Sequence, residues 1–367
     1  MNIQTIVKLS NKYGSDPELV LAGGGNTSIK DEETLFVKAS GTELSDITGK
    51  GFVGMSRKGI EEIFHKKYPE DDKAREAAVL ADLMAARLDP DGESRPSVET
   101  LLHGLFVHTL VLHLHPALIN GLTCGSDGER AARRLFGDKA LWIPACRPGY
   151  SLAMLCRNSM ESYKKETGRD AQIMFLQNHG VFFAADTEKE IDSLLSYVLD
   201  TLKNAAVREP DLSQGIVDTE ALRLSERIRG LAPGIKHVIY DGSIEAKRFS
   251  ESREKALPLL APLTPDHIVY CRAYPLFVGS EAELEDGFKR YLEKYGVLPR
   301  IIILRGTGFF AAGETGREAD LARLLFLDAI KTAVYAESFG GVLHMSEKLT
   351  DFIVNWEAES YRQKKSI

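Results

Sequence analysis

Cysteine is scarce in this chain: four residues in 367, Cys124, Cys146, Cys156 and Cys271, with no CxxC pair among them. That excludes a disulfide-framed scaffold. The sequence predicts free thiols packed as small apolar groups in a reducing compartment, and hence a cytoplasmic protein. No apolar run approaches the roughly 20 residues that span a bilayer. The opening MNIQTIVKLSNKYG is amphipathic rather than basic and then apolar, so no signal peptide is expected. An excess of positive charge is also missing. There are 46 Lys and Arg residues against 53 Asp and Glu, a net charge of −7, which argues against a nucleic-acid partner. The glycine-rich GGGNTSIK (23–30) lacks the GK[ST] ending of a phosphate-binding P-loop. It leads into a strand rather than a helix, which excludes a dinucleotide fingerprint.

What is present is a chain that is 44% hydrophobic, enough for one large core or two ordinary ones. Strand and helix patterns alternate. Helices are expected over 1–13, 57–88 and 97–106, strands over 34–41 and 111–116, and a strand–turn–strand over 173–185 followed by a long helix. LAPGIKHVIYDGS (231–243) offers one more short strand. Residues 266–328 repeat 138–200 at a constant offset of 128, with FLQNHGVFFAADTEKEID (175–192) aligning on ILRGTGFFAAGETGREAD (303–320). This reads as an internal duplication of a strand–helix–strand–turn–strand–helix unit. His179 of the first copy is Thr307 in the second, and the second copy has no upstream HLH pair, so the second copy is expected to be structural. The expected division is a catalytic domain at 1–205 and a C-terminal region at 206–367 containing the degenerate repeat.

HLHP (113–116) places His113 and His115 on one face of a strand. Two histidines on a half-buried strand need no function, but His179, in the turn QNHG, offers a third imidazole. Catalytic zinc sites take three protein ligands and leave one position open. Gly180 is expected to let the turn bend tightly. Glu99 opens the helix before the HLH strand, with Ser97 as its expected N-cap. A carboxylate near a metal serves as ligand, general base or both; at a helix N-terminus it is also simply favourable. GGGNTS and KASG are small polar turns whose amides and hydroxyls suit a phosphate, or are ordinary turns. His103 and His108 are expected in core or surface roles.

In order, GNTS, KASG, SVE, HLHP and NHG resemble the class II aldolase/adducin family over about residues 1–205. The remainder is similar to the aldolase portion of bacterial proteins that fuse a rhamnulose-1-phosphate aldolase to a short-chain dehydrogenase. The sequence ends where that dehydrogenase would begin, so no nicotinamide cofactor is expected. The resemblance implies an α/β fold, a three-layer αβα sandwich around a mixed sheet, with the C-terminal half-repeat either extending that sheet or forming a second domain. It implies one zinc per chain on His113, His115 and His179, and Glu99 as acid/base. Asn26, Ser28, Gly41 and Ser97 are implied for the phosphate cradle, with Lys38 and Ser40 compensating for Val98, which stands where many members have a second serine. Family members use a tyrosine from a neighbouring subunit, and Tyr150 is the nearest match. The implied activity is cleavage of a ketose 1-phosphate, L-rhamnulose 1-phosphate first, to dihydroxyacetone phosphate and L-lactaldehyde, with no Schiff-base lysine. The alternatives are a sugar-phosphate epimerase, a dehydratase, or a non-catalytic adducin-like module. The implied assembly is a homo-oligomer, a ring of four or a dimer.

Overall fold

A computed structural model describes residues 2–214 and 219–356. The elements run α1 (Ile3–Gly14), β1 (Asn26–Lys30), β2 (Thr34–Lys38), β3 (Phe52–Ser56), α2 (Arg57–His65), α3 (Asp72–Ala85), α4 (Thr100–Leu105), β4 (Leu110–Leu114), α5 (Ala117–Thr123), α6 (Gly128–Phe136), β5 (Leu141–Ile143), α7 (Tyr150–Thr167), β6 (Ile173–Leu176), β7 (Gly180–Ala185) and α8 (Glu188–Ala205). They continue with α9 (Thr219–Arg229), β8 (His237–Asp241), α10 (Ile244–Ser250), α11 (Arg253–Ala256), α12 (Pro265–Cys271), β9 (Leu276–Val278), α13 (Leu284–Tyr295), β10 (Ile301–Leu304), β11 (Gly308–Gly313), α14 (Gly316–Ala336) and α15 (Glu347–Val354).

The chain forms two compact units. One is built from residues up to Ile119 and from Gly128–Asn204; the other from Asn120–Asp127 and Ala205–Asn355. The first holds a seven-stranded sheet in the order β3-β2-β1-β4-β7-β6-β5. Only the β5–β6 pair is parallel, so the sheet is mixed. Side chains alternate across it. Leu35, Val37, Val111, Met174, Phe182 and Ala184 face a core shared with Ile60 and Ile63 of α2, Leu83 of α3, Leu101 of α4 and Leu152 of α7. Intervening residues such as Leu112, Leu114 and Phe183 are equally buried on the other side. There α1 packs on β1, and Lys12 and Tyr13 of α1 both donate to Asp192 of α8. The result is the three-layer αβα arrangement.

The helix expected over 57–88 is two helices. Pro69 lies between α2 and α3; it has no N–H to donate and disfavours helical backbone at Tyr68. The helix expected from Ser97 starts at Thr100, with Glu99 in the N-cap position; the Ser97 hydroxyl still accepts the Glu99 N–H at 3.2 Å. Strand β3 was not foreseen.

The second unit carries its own four-stranded sheet, β8-β11-β10-β9, again with one parallel pair. Its strand order matches β4-β7-β6-β5. The β6–β7 register, from Ile173 opposite Phe183 to Leu176 opposite Gly180, recurs 128 residues on as Ile301 opposite Ala311 to Leu304 opposite Gly308. The repeat departs from its constant offset at one strand, and the absent HLH pair leaves a strand without its paired histidines. A constant offset puts the counterpart of β5 at 269–271, but those residues lie in α12, and the parallel strand is Leu276–Val278. The HLH strand does have a structural counterpart, β8. Leu114 lies opposite Val181 and Asp241 opposite Phe309, and each strand is followed by a seven-residue helix, α5 or α10.

Candidate metal centre

The site forms at one end of the first sheet, where β4 and the β6–β7 turn end side by side. His113 lies within β4, directly across from Asn26 of β1 and Phe182 of β7. His115 falls one residue beyond the strand, yet its Nε2 comes within 2.9 Å of His113 Nε2. His179 occupies the turn. The ligand nitrogens of the three histidines all lie within 4.8 Å of one another. Tetrahedral zinc with bonds of about 2.0–2.1 Å sets its nitrogens about 3.3 Å apart, so small side-chain adjustments bring the trio to one ion. The donor set therefore fits a divalent metal. His113 Nδ1 lies 2.9 Å from the Val181 carbonyl. Donation there leaves Nε2 as the nitrogen with a lone pair for a metal.

The turn reaches this geometry differently from expectation. Asn178, not Gly180, takes the left-handed backbone, at φ 56°; asparagine tolerates that region better than most residues. Gly180 is needed for closeness. A Cβ there would sit 2.5 Å from the Leu114 carbonyl and 2.7 Å from the His115 ring. Gly25, at φ +66°, is similarly tight: its Cβ would lie 3.0 Å from the His113 carbonyl.

Glu99 completes the cluster. Its Oε1 lies 3.1 Å from His113 Nε2 and 3.4 Å from His179 Nε2. Its Oε2 accepts from Asn26 Nδ2 at 3.2 Å, and that amide also donates to Ser97 Oγ at 2.6 Å. Burial by itself raises the Glu99 carboxyl, but the imidazoles of His113, then His179 and His115, outweigh it and hold the group well below the usual carboxylate range.

The expected phosphate cradle is only partly assembled. Asn26 donates to Ser97, and the segments carrying Ser97 and Ser40 are joined because Ser97 N–H donates to the Lys38 carbonyl and Ser40 N–H to the Arg95 carbonyl, with Gly41 next in the chain at φ +81°. Ser28 is not part of it. Its hydroxyl is fully buried and bonds His103 Nδ1 at 2.8 Å. Lys38 donates its ammonium to the Gly23 and Thr42 carbonyls, tying the two turns together. Tyr150 is not brought to the histidines within this chain. Its ring stands edge-on to Tyr68, with centroids 4.9 Å apart, and its N–H donates to Glu76.

Beneath the histidines lies a buried layer in which His103 takes the core role expected of it, beside a buried Lys30 that carried no signal in the sequence. His103 is fully buried and its Nε2 has no partner among the described residues. Burial pushes its pKa from 6.5 down to about 3. Lys30, equally buried, donates to the His103 carbonyl and is lowered by burial to about 7. Between about pH 6.5 and 3 the unfolded chain protonates His103 while the native state does not. Stability is therefore expected to fall as pH drops through that window, by up to about 1.4 kcal/mol per pH unit from this group. Denaturant midpoints of wild type and His103→Gln across pH 4–7 check this: the variant should show the shallower loss.

In the second unit the equivalents of His113, His115 and His179 are Tyr240, Gly242 and Thr307. The Tyr240 hydroxyl donates to the Thr307 carbonyl at 2.8 Å, and a Cβ at residue 242 would lie 2.1 Å from that hydroxyl. A tyrosine thus bridges strand and turn where three imidazoles converge in the first unit. Tyr240→Phe removes one hydrogen bond. Its expected cost is about 1 kcal/mol, or a few degrees in Tm, by calorimetry, with metal content unchanged.

Residues 4–203 match Class II Aldolase and Adducin N-terminal domain, and the chain belongs to that family. Among curated proteins it is 22% identical over 412 residues to the uncharacterized oxidoreductase YuxG of Bacillus subtilis (strain 168). That alignment covers 98% of this chain, which spans only 58% of the relative's length. Among solved structures it is similar to the N-terminal class II aldolase domain of a conserved protein from Thermoplasma acidophilum. That likeness has 29% identity and a TM-score of 0.47, covering 56% of this chain and 93% of that one. It is also similar to an L-fuculose 1-phosphate aldolase, at 18% identity and a TM-score of 0.39, covering 55% and 83%. Among the described residues no helix is long and apolar enough to cross a membrane.

Proposed function

We propose that the chain is a zinc-dependent aldolase that cleaves a ketose 1-phosphate, L-rhamnulose 1-phosphate first, to dihydroxyacetone phosphate and L-lactaldehyde. The observation that carries this reading is the Glu99 carboxylate, with one oxygen against His113 and His179 and the other held by Asn26. A proton-transfer group is thereby fixed beside a three-imidazole cluster. Zinc on His113, His115 and His179 would supply Lewis-acid stabilisation of the negative charge that develops when the bond between the third and fourth carbons breaks. Glu99 is the group that moves the proton to or from the carbon so exposed. Asn26 keeps the Glu99 carboxylate oriented for that transfer. Asn26, Ser40, Gly41 and Ser97 are assigned to the phosphate, with Lys38 holding their two turns in place.

A panel of ketose 1-phosphates incubated with the purified chain tests the reading. Dihydroxyacetone phosphate and an aldehyde in equal amounts support it. An inverted pentulose phosphate would make the protein an epimerase, and a dehydrated sugar phosphate a dehydratase. No conversion of any member, together with no bound metal, would favour an adducin-like interaction module.

A further inference from the structure

We propose that Phe182 is a positioning residue that sets the ring plane of His113 for the metal, an inference that rests on the metal reading above. Phe182 lies directly across from His113 in the β4–β7 pairing and is fully buried. The two rings stack almost flat, with centroids 4.0 Å apart and planes 12° from parallel. Phe106 stacks on Phe182 at 5.7 Å and 25°, and His103 meets it edge-on at 5.4 Å. Phe182 is thus held by neighbours outside the three-histidine cluster.

The stack adds what hydrogen bonding leaves open. The contacts of His113 Nδ1 with the Val181 carbonyl and of Nε2 with Glu99 Oε1 hold the edge of the ring, but neither bears on its face, and the Nε2 contact is the one a metal would replace. A metal on Nε2 is held best in the plane of the imidazole, so a pivot weakens the bond. His115 and His179 offer no parallel surface to the ring, because both meet His113 at steep angles, 75° and 85°. Phe182 is the flat surface against which the ring rests. The second unit supplies an internal contrast. Phe310 lies across from Tyr240 in the same register, where no imidazole stands, and those rings are 5.2 Å apart and tilted by 42°. Flat stacking goes with the imidazole rather than with the strand pairing.

The test uses the full chain. Wild type, Phe182→Leu and Phe183→Leu are compared for zinc affinity, by competition with a chromophoric chelator, and for the visible spectrum of the cobalt(II)-substituted protein. Phe183 is fully buried on the opposite face of the same strand, so its variant controls for general loss of core packing. Phe182→Leu is expected to weaken zinc by about tenfold to a hundredfold, the range seen when groups supporting metal ligands are removed, and to shift the cobalt spectrum. Phe183→Leu is expected to lose stability but keep wild-type affinity and spectrum. If Phe182→Leu does not fold, Phe182→Met, close in volume but without a flat ring, is read in the same way. Affinity and spectrum unchanged in the Phe182 variants overturn the inference while leaving the metal reading intact. A wild-type chain that binds no zinc overturns the metal reading, and the inference with it.

Discussion

Replacing His113 by alanine is expected to abolish stoichiometric metal binding and to slow aldol cleavage by about a thousandfold. The estimate follows from two magnitudes. A Lewis-acid metal contributes several kcal/mol to stabilising transition-state charge, and each 1.36 kcal/mol is tenfold in rate. Of the three histidines, His113 is the most constrained: it is fully buried, bonded at Nδ1 to a β7 carbonyl and stacked on Phe182. Metal content by elemental analysis and initial cleavage rates check the prediction, with circular dichroism to establish that the variant folds. A variant that retains one metal per chain would remove His113 from the ligand set.

Replacing Glu99 by glutamine is expected to lower kcat by about a hundredfold to ten-thousandfold, the usual contribution of a positioned acid or base, while metal stays bound. The amide matches the carboxylate in shape. Its carbonyl oxygen can keep the Asn26 hydrogen bond. What it cannot do is carry a proton. Retained metal with collapsed turnover makes Glu99 the acid/base. Lost metal makes it chiefly a ligand.

The site was legible in the sequence where its parts are local. HLHP and QNHG hold their histidines within a few residues of a strand end, and strand periodicity says which way such side chains point. Asn26 was legible as part of a polar turn and of the phosphate cradle that the resemblance implies. That its amide would hold Glu99 depends on β1 lying beside β4, a pairing between segments far apart in the chain. The same strand shows how alternation misleads. Asn26 and Ser28 share a face, but two residues along the strand the neighbour is His103 rather than the site. Phe182 gave no signal at all, since a phenylalanine in an apolar strand reads as core until its cross-strand partner is known. The fold was legible in class but not in detail. Pro69 marks the break between α2 and α3, whereas the β8 counterpart of the HLH strand is hidden because its site residues became Tyr240 and Gly242. The turn motif shows Gly180 but not its role, because the close approach of two imidazoles is a tertiary fact.

The most direct test of the central claim is a single titration. The purified chain is stripped with a chelator, its cleavage of a ketose 1-phosphate is measured, and zinc is returned in sub-stoichiometric steps. Negligible cleavage is expected without metal, followed by a linear recovery that ends at one zinc per chain. Cleavage that persists in fully metal-free protein would contradict that claim.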